Sequence, residues 1–196
     1  MTLLECLGTL LSVNDTIRNA LASAEISSGV KACQCAEFPV SELVFSQELL
    51  NSCAANACGH YNQSWTCPPV SGTLEEQREK IIAFKNVFVF TTRHDLEDSF
   101  DYEGMSAGKE RHSKLTLEFR NIMGNKYPFY GAGSCPSCKD KDGKTRCSFP
   151  LPCPFPEKKI GSIEAAGINV TAISKTAGIN YNNGPNTVTY FSMMLW

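Results

Sequence analysis

The sequence predicts an α+β fold in which a layer of helices packs on a mostly antiparallel or mixed sheet, with two cysteine-rich loops that hold metal. Segments of helical and of strand-like periodicity both occur, and they do not alternate strictly as repeated βαβ units would. A chain of 196 residues, 42% of them hydrophobic, can bury one sizeable core. No linker rich in Pro, Gly or Ser divides it. We therefore predict a single domain over residues 1–196, with an N-terminal helical segment at 1–36 and a cysteine-rich core at 37–196.

Two segments in the first half show helical signals. Residues 12–24 can start with a capping-box-like arrangement of Ser12 and Asp15, and they carry one apolar face composed of Ile17, Ala20, Leu21 and Ala24. Thr73 and Glu76 form a clearer capping box, which opens a helix with the sequence TLEEQREKIIAF. Its first turn is acidic, as the helix dipole favours.

A third helix is predicted in the second half of residues 99–123, with Gly124 as its natural C-cap. Its apolar stripe consists of Leu115, Phe119, Ile122 and Met123. The remaining segments have the β-branched and aromatic residues or the alternation typical of strands. They are residues 38–45, 86–92, 127–131, 167–174 and 187–195.

Composition and charge exclude several classes of protein. Charged residues make up 19% of the chain and the net charge is −2, which predicts neither a disordered acidic tail nor a nucleic-acid surface. No phosphate-binding glycine motif is present. The N-terminus has no positive charge before its apolar run, and no segment reaches the roughly eighteen apolar residues of a membrane span. We expect a cytoplasmic protein that binds neither nucleic acid nor membrane.

The ten cysteines are the unusual feature of the composition. A chain of this length does not need disulfides to fold, and cytoplasmic thiols stay reduced. Seven cysteines fall in two blocks. The first block contains Cys53, Cys58 and Cys67, spaced C-x4-C-x8-C, and the second contains Cys135, Cys138, Cys147 and Cys153. The second block starts with C-x2-C, a spacing at which two thiolates can bind one metal centre.

Three interpretations of these blocks compete. Structural disulfides disagree with the expected compartment. Structural zinc favours two C-x2-C knuckles, and only one is present. An iron–sulfur cluster tolerates irregular spacing because its ligands surround a cube, and Cys-Pro pairs often accompany such ligands. Three block cysteines precede proline: Cys67, Cys135 and Cys153. The pattern favours iron–sulfur ligation, with zinc as the alternative.

The order of these motifs resembles a prokaryotic family of predicted metal-binding proteins of unknown function. The resemblance covers roughly residues 38–195. It rests on Cys58-Gly59-His60-Tyr61, Trp65-Thr66-Cys67-Pro68-Pro69, Gly133 to Cys138, Cys147 with Pro150, Ser162-Ile163-Glu164-Ala165 and Gly167-Ile168-Asn169-Val170. The resemblance implies metal binding, by an iron–sulfur cluster, in anaerobes, and it implies no reaction. Lys141 stands where the family has a further cysteine, and Asn62 replaces a glycine.

The seven thiols can be divided in two ways. One cluster can take Cys135, Cys138, Cys147 and Cys153, which leaves Cys53, Cys58 and Cys67 for a second centre with an open fourth position. Alternatively, one cluster draws ligands from both blocks. A closed cluster implies an electron-transfer protein with a redox partner, whereas an open one can act as a Lewis acid on a small molecule. A colourless zinc adaptor is the third hypothesis.

Residues outside the seven are weaker candidates. His60 can ligate metal, donate a proton or only support its loop, and Trp65 is predicted to shield the site from water. We expect His94 in a solvated turn and Arg111 with His112 on an exposed helix face. Glu164 is a candidate only through the family pattern. The remaining cysteines, namely Cys6, Cys33 and Cys35, are predicted to be ordinary or redox-sensitive thiols, Cys6 within the core.

Overall fold

The computed structural model describes residues 14–141 and 145–196 of the chain. Its helices are α1 (Asp15–Ser28), α2 (Gln47–Ala54), α3 (Leu74–Ile82), α4 (Tyr102–Met123) and α5 (Val170–Ala177). Its strands are β1 (Cys35–Pro39), β2 (Asn86–Asp95), β3 (Phe129–Gly131), β4 (Ile160–Ser162) and β5 (Thr187–Leu195). None of the helices in these ranges is long and apolar enough to cross a membrane.

The strands form one sheet in the order β1-β2-β5-β3-β4. Three of the neighbouring pairs are antiparallel, and only β3 and β4 run parallel. The long central pair aligns Val87 of β2 with Leu195 of β5 and continues to Asp95 opposite Thr187. The predicted α+β class with a mostly antiparallel, mixed sheet is therefore confirmed.

Helices cover both faces of the sheet, whereas the sequence predicted one layer. On one face Phe88 and Phe90 of β2 pack with side chains of α1 and α4. On the other face Val87 and Val89 pack with side chains of α3 and α5. The run NVFVF is apolar without alternation because both sides of this central strand are buried.

Several predicted elements are confirmed. The strands at residues 86–92, 127–131 and 187–195 exist, and Gly124 ends α4, which starts earlier than expected. The first helix begins later than predicted, because Asn14 is its N-cap and Asp15 already lies within it. Ser12 lies outside the described residues.

Two predicted strands are wrong. Residues 38–45 contain only the end of β1, and a short 3₁₀ turn follows at Val40–Glu42. Residues 167–174 enter helix α5 rather than a strand. Their β-branched side chains favoured a strand, but Asn169 accepts a hydrogen bond from the Ala172 N–H at 3.0 Å as an N-cap, and Gly178 adopts a left-handed C-cap. Helix α2 and strand β4 were not predicted from the sequence.

The capping box of α3 is confirmed and allows a stability prediction. The Thr73 hydroxyl accepts from the Glu76 N–H at 3.2 Å, and the Glu76 carboxylate accepts from the Thr73 N–H at 2.8 Å. We expect Thr73→Ala to lower the free energy of unfolding by about 1 kcal/mol, because a helix N–H loses its partner. Urea unfolding measures the change. Thr73→Ser keeps the hydroxyl and should stay near wild type, and equal losses in both variants would contradict the capping explanation.

Candidate metal centre

The seven block cysteines lie in three kinds of local structure. Cys53 is in the last turn of α2, so the prediction that it lies in a loop is wrong. Cys58 and Cys67 follow in the turn-rich segment between α2 and α3. The other four, Cys135, Cys138, Cys147 and Cys153, lie in the segment that connects β3 to β4. Parallel neighbours such as β3 and β4 need a long crossover, which is usually a helix. Here the segment that contains the four cysteines forms this crossover.

The first block forms a group of three neighbouring thiols, Cys53, Cys58 and Cys67, which we call the three-thiol group. Cys67 is 6% exposed. Burial raises the pKa of the Cys67 thiol to about 11, and the nearby Cys58 and Cys53 add to this, although hydrogen bonds with Ser64 and Thr66 act against it. Burial also raises the pKa of Cys53, with further contributions from Cys58 and Glu164. The three thiols therefore share one electrostatic environment.

The second block forms a four-thiol group of Cys135, Cys138, Cys147 and Cys153. Burial raises the pKa of the Cys138 thiol, and the other three cysteines of the group raise it further. The electrostatic interactions thus group the seven cysteines into three and four, as the sequence does, and the two groups meet at Ser64, whose hydroxyl forms hydrogen bonds with both Cys67 and Cys147.

Cys147 is surrounded by hydrogen-bond donors. Burial alone would raise the pKa of its thiol, but hydrogen bonds from the N–H groups of Phe149, Trp65 and Ser148 and from the Ser64 hydroxyl outweigh burial. The pKa of Cys147 therefore lies below its usual value. N–H groups directed at sulfur stabilise the thiolate, which is the form that binds metal.

Cys135 has a similar environment. Its sulfur accepts a hydrogen bond from the Ile160 N–H at 3.4 Å, and its own N–H donates to the Thr66 hydroxyl at 3.2 Å. These bonds tie the four-thiol group to the start of β4 and to the first cysteine block.

Aromatic packing joins the two blocks. The Trp65 indole N–H donates to the carbonyl of Leu151 at 3.0 Å, and its ring meets that of Phe149 edge to face, with centroids 5.1 Å apart. Trp65 is half-buried between the blocks. Its predicted shielding of the site from water stays a prediction.

The arrangement of donors bears on the two kinds of metal group differently. In the described residues, no three or more His, Cys, Asp or Glu side chains form a group that could hold one metal ion. A cluster has a different requirement, because each thiolate binds a separate iron atom and the ligands lie farther apart.

Polar side chains lie near the cysteine blocks, and among them Glu164 interacts with a thiol of the three-thiol group, Cys53. The His60 Nε2 lies 3.4 Å from the Ser134 hydroxyl. Burial lowers the pKa of His60, and the positive charge of Lys109 lowers it further. The Glu164 carboxylate accepts hydrogen bonds from the Ser162 hydroxyl at 2.9 Å and from the Gly133 N–H at 3.5 Å. The sequence suggested His60 and Glu164 but missed Lys109, for which it contains no signal.

The two histidines of the sheet and α4 contradict their predictions. His94 belongs to β2 and is 9% exposed, and His112 of α4 is 2% exposed. The Thr92 hydroxyl lies 2.9 Å from His94 Nε2 and 2.8 Å from His112 Nδ1, and His112 Nε2 lies 2.8 Å from the Ser192 hydroxyl. Helix periodicity did contain a signal, because residue 112 lies on the same stripe as Leu115 and Phe119.

The cysteines outside the blocks lie elsewhere in the fold. Cys33 donates its N–H to the Thr91 carbonyl at 2.7 Å beside the sheet, and Cys35 is the first residue of β1. Cys6 and the prediction made for it lie outside the described residues.

An α+β fold with a mixed sheet and two adjoining groups of thiols defines a cysteine-rich protein suited to binding metal. The chain belongs to the family described as predicted metal-binding protein (DUF2284), whose model matches residues 36–196. The family resemblance is thereby confirmed, and the family is one predicted to bind metal. No curated protein and no solved structure matches the chain.

Proposed function

We propose that the protein binds two iron–sulfur clusters, one on each thiol group, and transfers electrons to a redox partner in the reducing cytoplasm. The observation that supports this most strongly is the grouping of the seven thiols by their mutual interactions into two adjoining sets, one of four and one of three. A bound cluster would supply one-electron redox chemistry.

The protein's own groups tune and protect the four-thiol group. Donors on Cys147 and Cys135 stabilise negative charge on sulfur, and such hydrogen bonds raise a cluster's reduction potential. Trp65 and Phe149 cover the space between the blocks with aromatic surface. Leu151 is 70% exposed beside them, so this group lies near the protein surface. A surface location suits electron exchange with a second protein.

The metal inventory tests the proposal. After anaerobic reconstitution we expect about eight iron atoms and about eight acid-labile sulfides per chain, as two [4Fe–4S] clusters require. Iron, zinc and sulfide are measured on the same sample, together with its visible absorption. About four of each would support a single cluster with ligands from both blocks. Zinc without sulfide would contradict both forms and favour the zinc adaptor.

A second candidate function is an enzyme that uses the three-thiol group. That group has one thiolate fewer than a closed cluster needs, and the Glu164 carboxylate lies near its Cys53 thiol. An incompletely ligated iron can bind a small molecule as a Lewis acid. Adding cyanide or a small thiol to the reduced protein should change its electron paramagnetic resonance spectrum. An unchanged spectrum would contradict this candidate and leave electron transfer.

A further inference from the structure

A cavity of about 220 Å³ adjoins the metal centre without belonging to it. Trp65 and Thr66 of the first cysteine block form part of its lining. The Trp65 N–H donates to the Cys147 sulfur, and the Thr66 hydroxyl accepts from the Cys135 N–H at 3.2 Å. None of the seven block cysteines, all of which the structure describes, lines the cavity. A ligand there would contact residues that support the thiols rather than the thiols themselves.

Two hydroxyl groups of lining residues can donate to a ligand. The Ser71 Oγ is buried and has no hydrogen-bond partner among the described residues. The Ser71 backbone is fixed, because its N–H donates to the Cys67 carbonyl at 3.0 Å and the Gln77 side chain donates to its carbonyl. Tyr130 is half-buried, and burial raises the pKa of its phenol to about 12, so its hydroxyl stays protonated. A buried hydroxyl without a partner costs free energy, which a hydrogen-bonding ligand would offset.

The charged side chains that line this cavity are both positive. Lys80 of α3 and Lys159 line it, and none of the described acidic residues does. Both lysines are exposed, and neither forms an ion pair with another described residue. Glu76, one turn before Lys80, is engaged in the capping box of α3. Glu164 accepts a hydrogen bond from the lining residue Ser162 but lines a different cavity. The lining therefore favours an anionic ligand.

The remaining walls are largely apolar. They are formed by two aromatic residues and three small apolar ones, namely Trp65, Tyr130, Pro128, Ala165 and Ala166. An added Cβ at Gly161 would lie 2.5 Å from a carbon of the Tyr130 ring, so glycine allows this ring to cross β4 as a wall of the cavity. A cavity of about 150 Å³ is enough to bind benzene. The volume here therefore accommodates one ring with a carboxylate, and it lies below the roughly 300 Å³ at which sites for drug-sized ligands begin.

We infer that this cavity binds a small organic carboxylate with the bulk of about one ring. The carboxylate accepts hydrogen bonds from Lys80, Lys159 and the Ser71 hydroxyl, and the Tyr130 hydroxyl is a further donor. The ring packs against the apolar walls beside Trp65. This inference goes beyond the proposed function, because it assigns a ligand to a site that contains none of the seven thiols.

Isothermal titration calorimetry with sodium benzoate tests the inference on the anaerobically reconstituted protein. Benzamide has nearly the same shape without the charge and should bind about tenfold or more weakly. Acetate and inorganic phosphate have the charge without the ring, and they should also bind about tenfold or more weakly, because the apolar walls stay uncovered. Phosphate binding as tight as that of benzoate would overturn the assignment of an organic acid to the site.

Replacing the two lysines tests where benzoate binds. The double variant Lys80→Ala/Lys159→Ala should weaken benzoate binding by about tenfold or more, the loss expected for charged hydrogen bonds. Arg78→Ala/Lys85→Ala is the matched control, because it removes two exposed positive charges that line a different cavity. The control should bind benzoate as wild type does. An equal loss in both double variants would contradict the site, because net charge alone would then explain the effect.

Ser71→Ala separates a role in binding from a role in stability. The Ser71 hydroxyl has no partner to lose among the described residues, so the free energy of unfolding without benzoate should stay the same or rise slightly. Benzoate binding should nevertheless weaken by about fivefold or more. Iron and sulfide are measured in every sample, so that affinities are compared at equal metal content. Wild-type affinity for benzoate in Ser71→Ala, or in the double lysine variant, would overturn the inference.

Discussion

Replacing Cys147 with alanine is expected to remove about half of the iron and sulfide from the reconstituted protein. Cys147 belongs to the four-thiol group, and its sulfur accepts hydrogen bonds from four donors. The substitution removes one of four thiolates together with the hydrogen bonds that its sulfur accepts from Phe149, Trp65, Ser148 and Ser64, so we expect this group to lose its cluster. The three-thiol group contains none of the altered atoms. The cluster on the three-thiol group should therefore keep its iron, about four atoms per chain.

Cys67→Ala is the reciprocal experiment, because Cys67 is the most buried member of the three-thiol group. It should remove the other half of the iron, and the double variant should retain almost none. Cys33 lies outside both groups, so Cys33→Ala serves as the control and should keep its full metal content. If either single substitution removed all of the iron, one cluster would draw ligands from both blocks. If neither lowered the metal content, the assignment of these ligands would be wrong.

The elements that the sequence predicted correctly are those whose signals are local. The run NVFVFTT, the Thr73 and Glu76 capping box and Gly124 each act within a few residues, and each appears as expected. Residues 167–174 show the opposite case. Their β-branched residues favour a strand, but one N-cap at Asn169 and packing of Ile173 in the core decide for a helix. Tertiary burial outweighs a propensity of this size.

The candidate site follows the same division. The two cysteine blocks are local patterns that can be recognised in the sequence, whereas the division of their thiols between metal centres stays a prediction. Lys109 could not be recognised in this way, because it lies 24 residues before Gly133 and meets it only through the packing of α4 beside the sheet. The predicted exposure of His112 failed for a related reason. A histidine was assumed to face water, although its helical position placed it on the apolar stripe.

The connection between β3 and β4 explains why a metal group belongs in this fold. Its residues 132–159 form a crossover between parallel strands, and the described part contains no α-helix and only one 3₁₀ turn, at Pro156–Lys158. A long loop with so little regular structure buries few apolar groups and is uncommon unless it has a function. Ligation by four thiolates would order this segment in place of a hydrophobic core. Metal content and local order should therefore vary together.

Acidification is expected to destabilise the protein through His112. Burial lowers the pKa of His112 from 6.5 to about 3, with an opposing hydrogen bond involving Phe191 and a smaller contribution from His94. Between these two pH values the unfolded chain binds one proton more than the folded chain. Stability is therefore complete above pH 6.5 and falls as the pH decreases, by at most about 1.4 kcal/mol per pH unit.

His112→Asn isolates this contribution, because asparagine does not titrate and both proteins keep all seven block cysteines. The variant should be less stable than wild type at pH 8, since the Thr92 and Ser192 hydroxyls lose partners. Below pH 6.5 the difference in the free energy of unfolding should shrink, because only wild type has the buried imidazole. The block cysteines remain in both proteins, so the pH effects of metal binding cancel in the difference. His94 shares the Thr92 hydroxyl with His112, so its contribution is checked with His94→Asn in both proteins. Parallel stability curves from urea unfolding at pH 5 to 8 would show that His112 is not the titrating group.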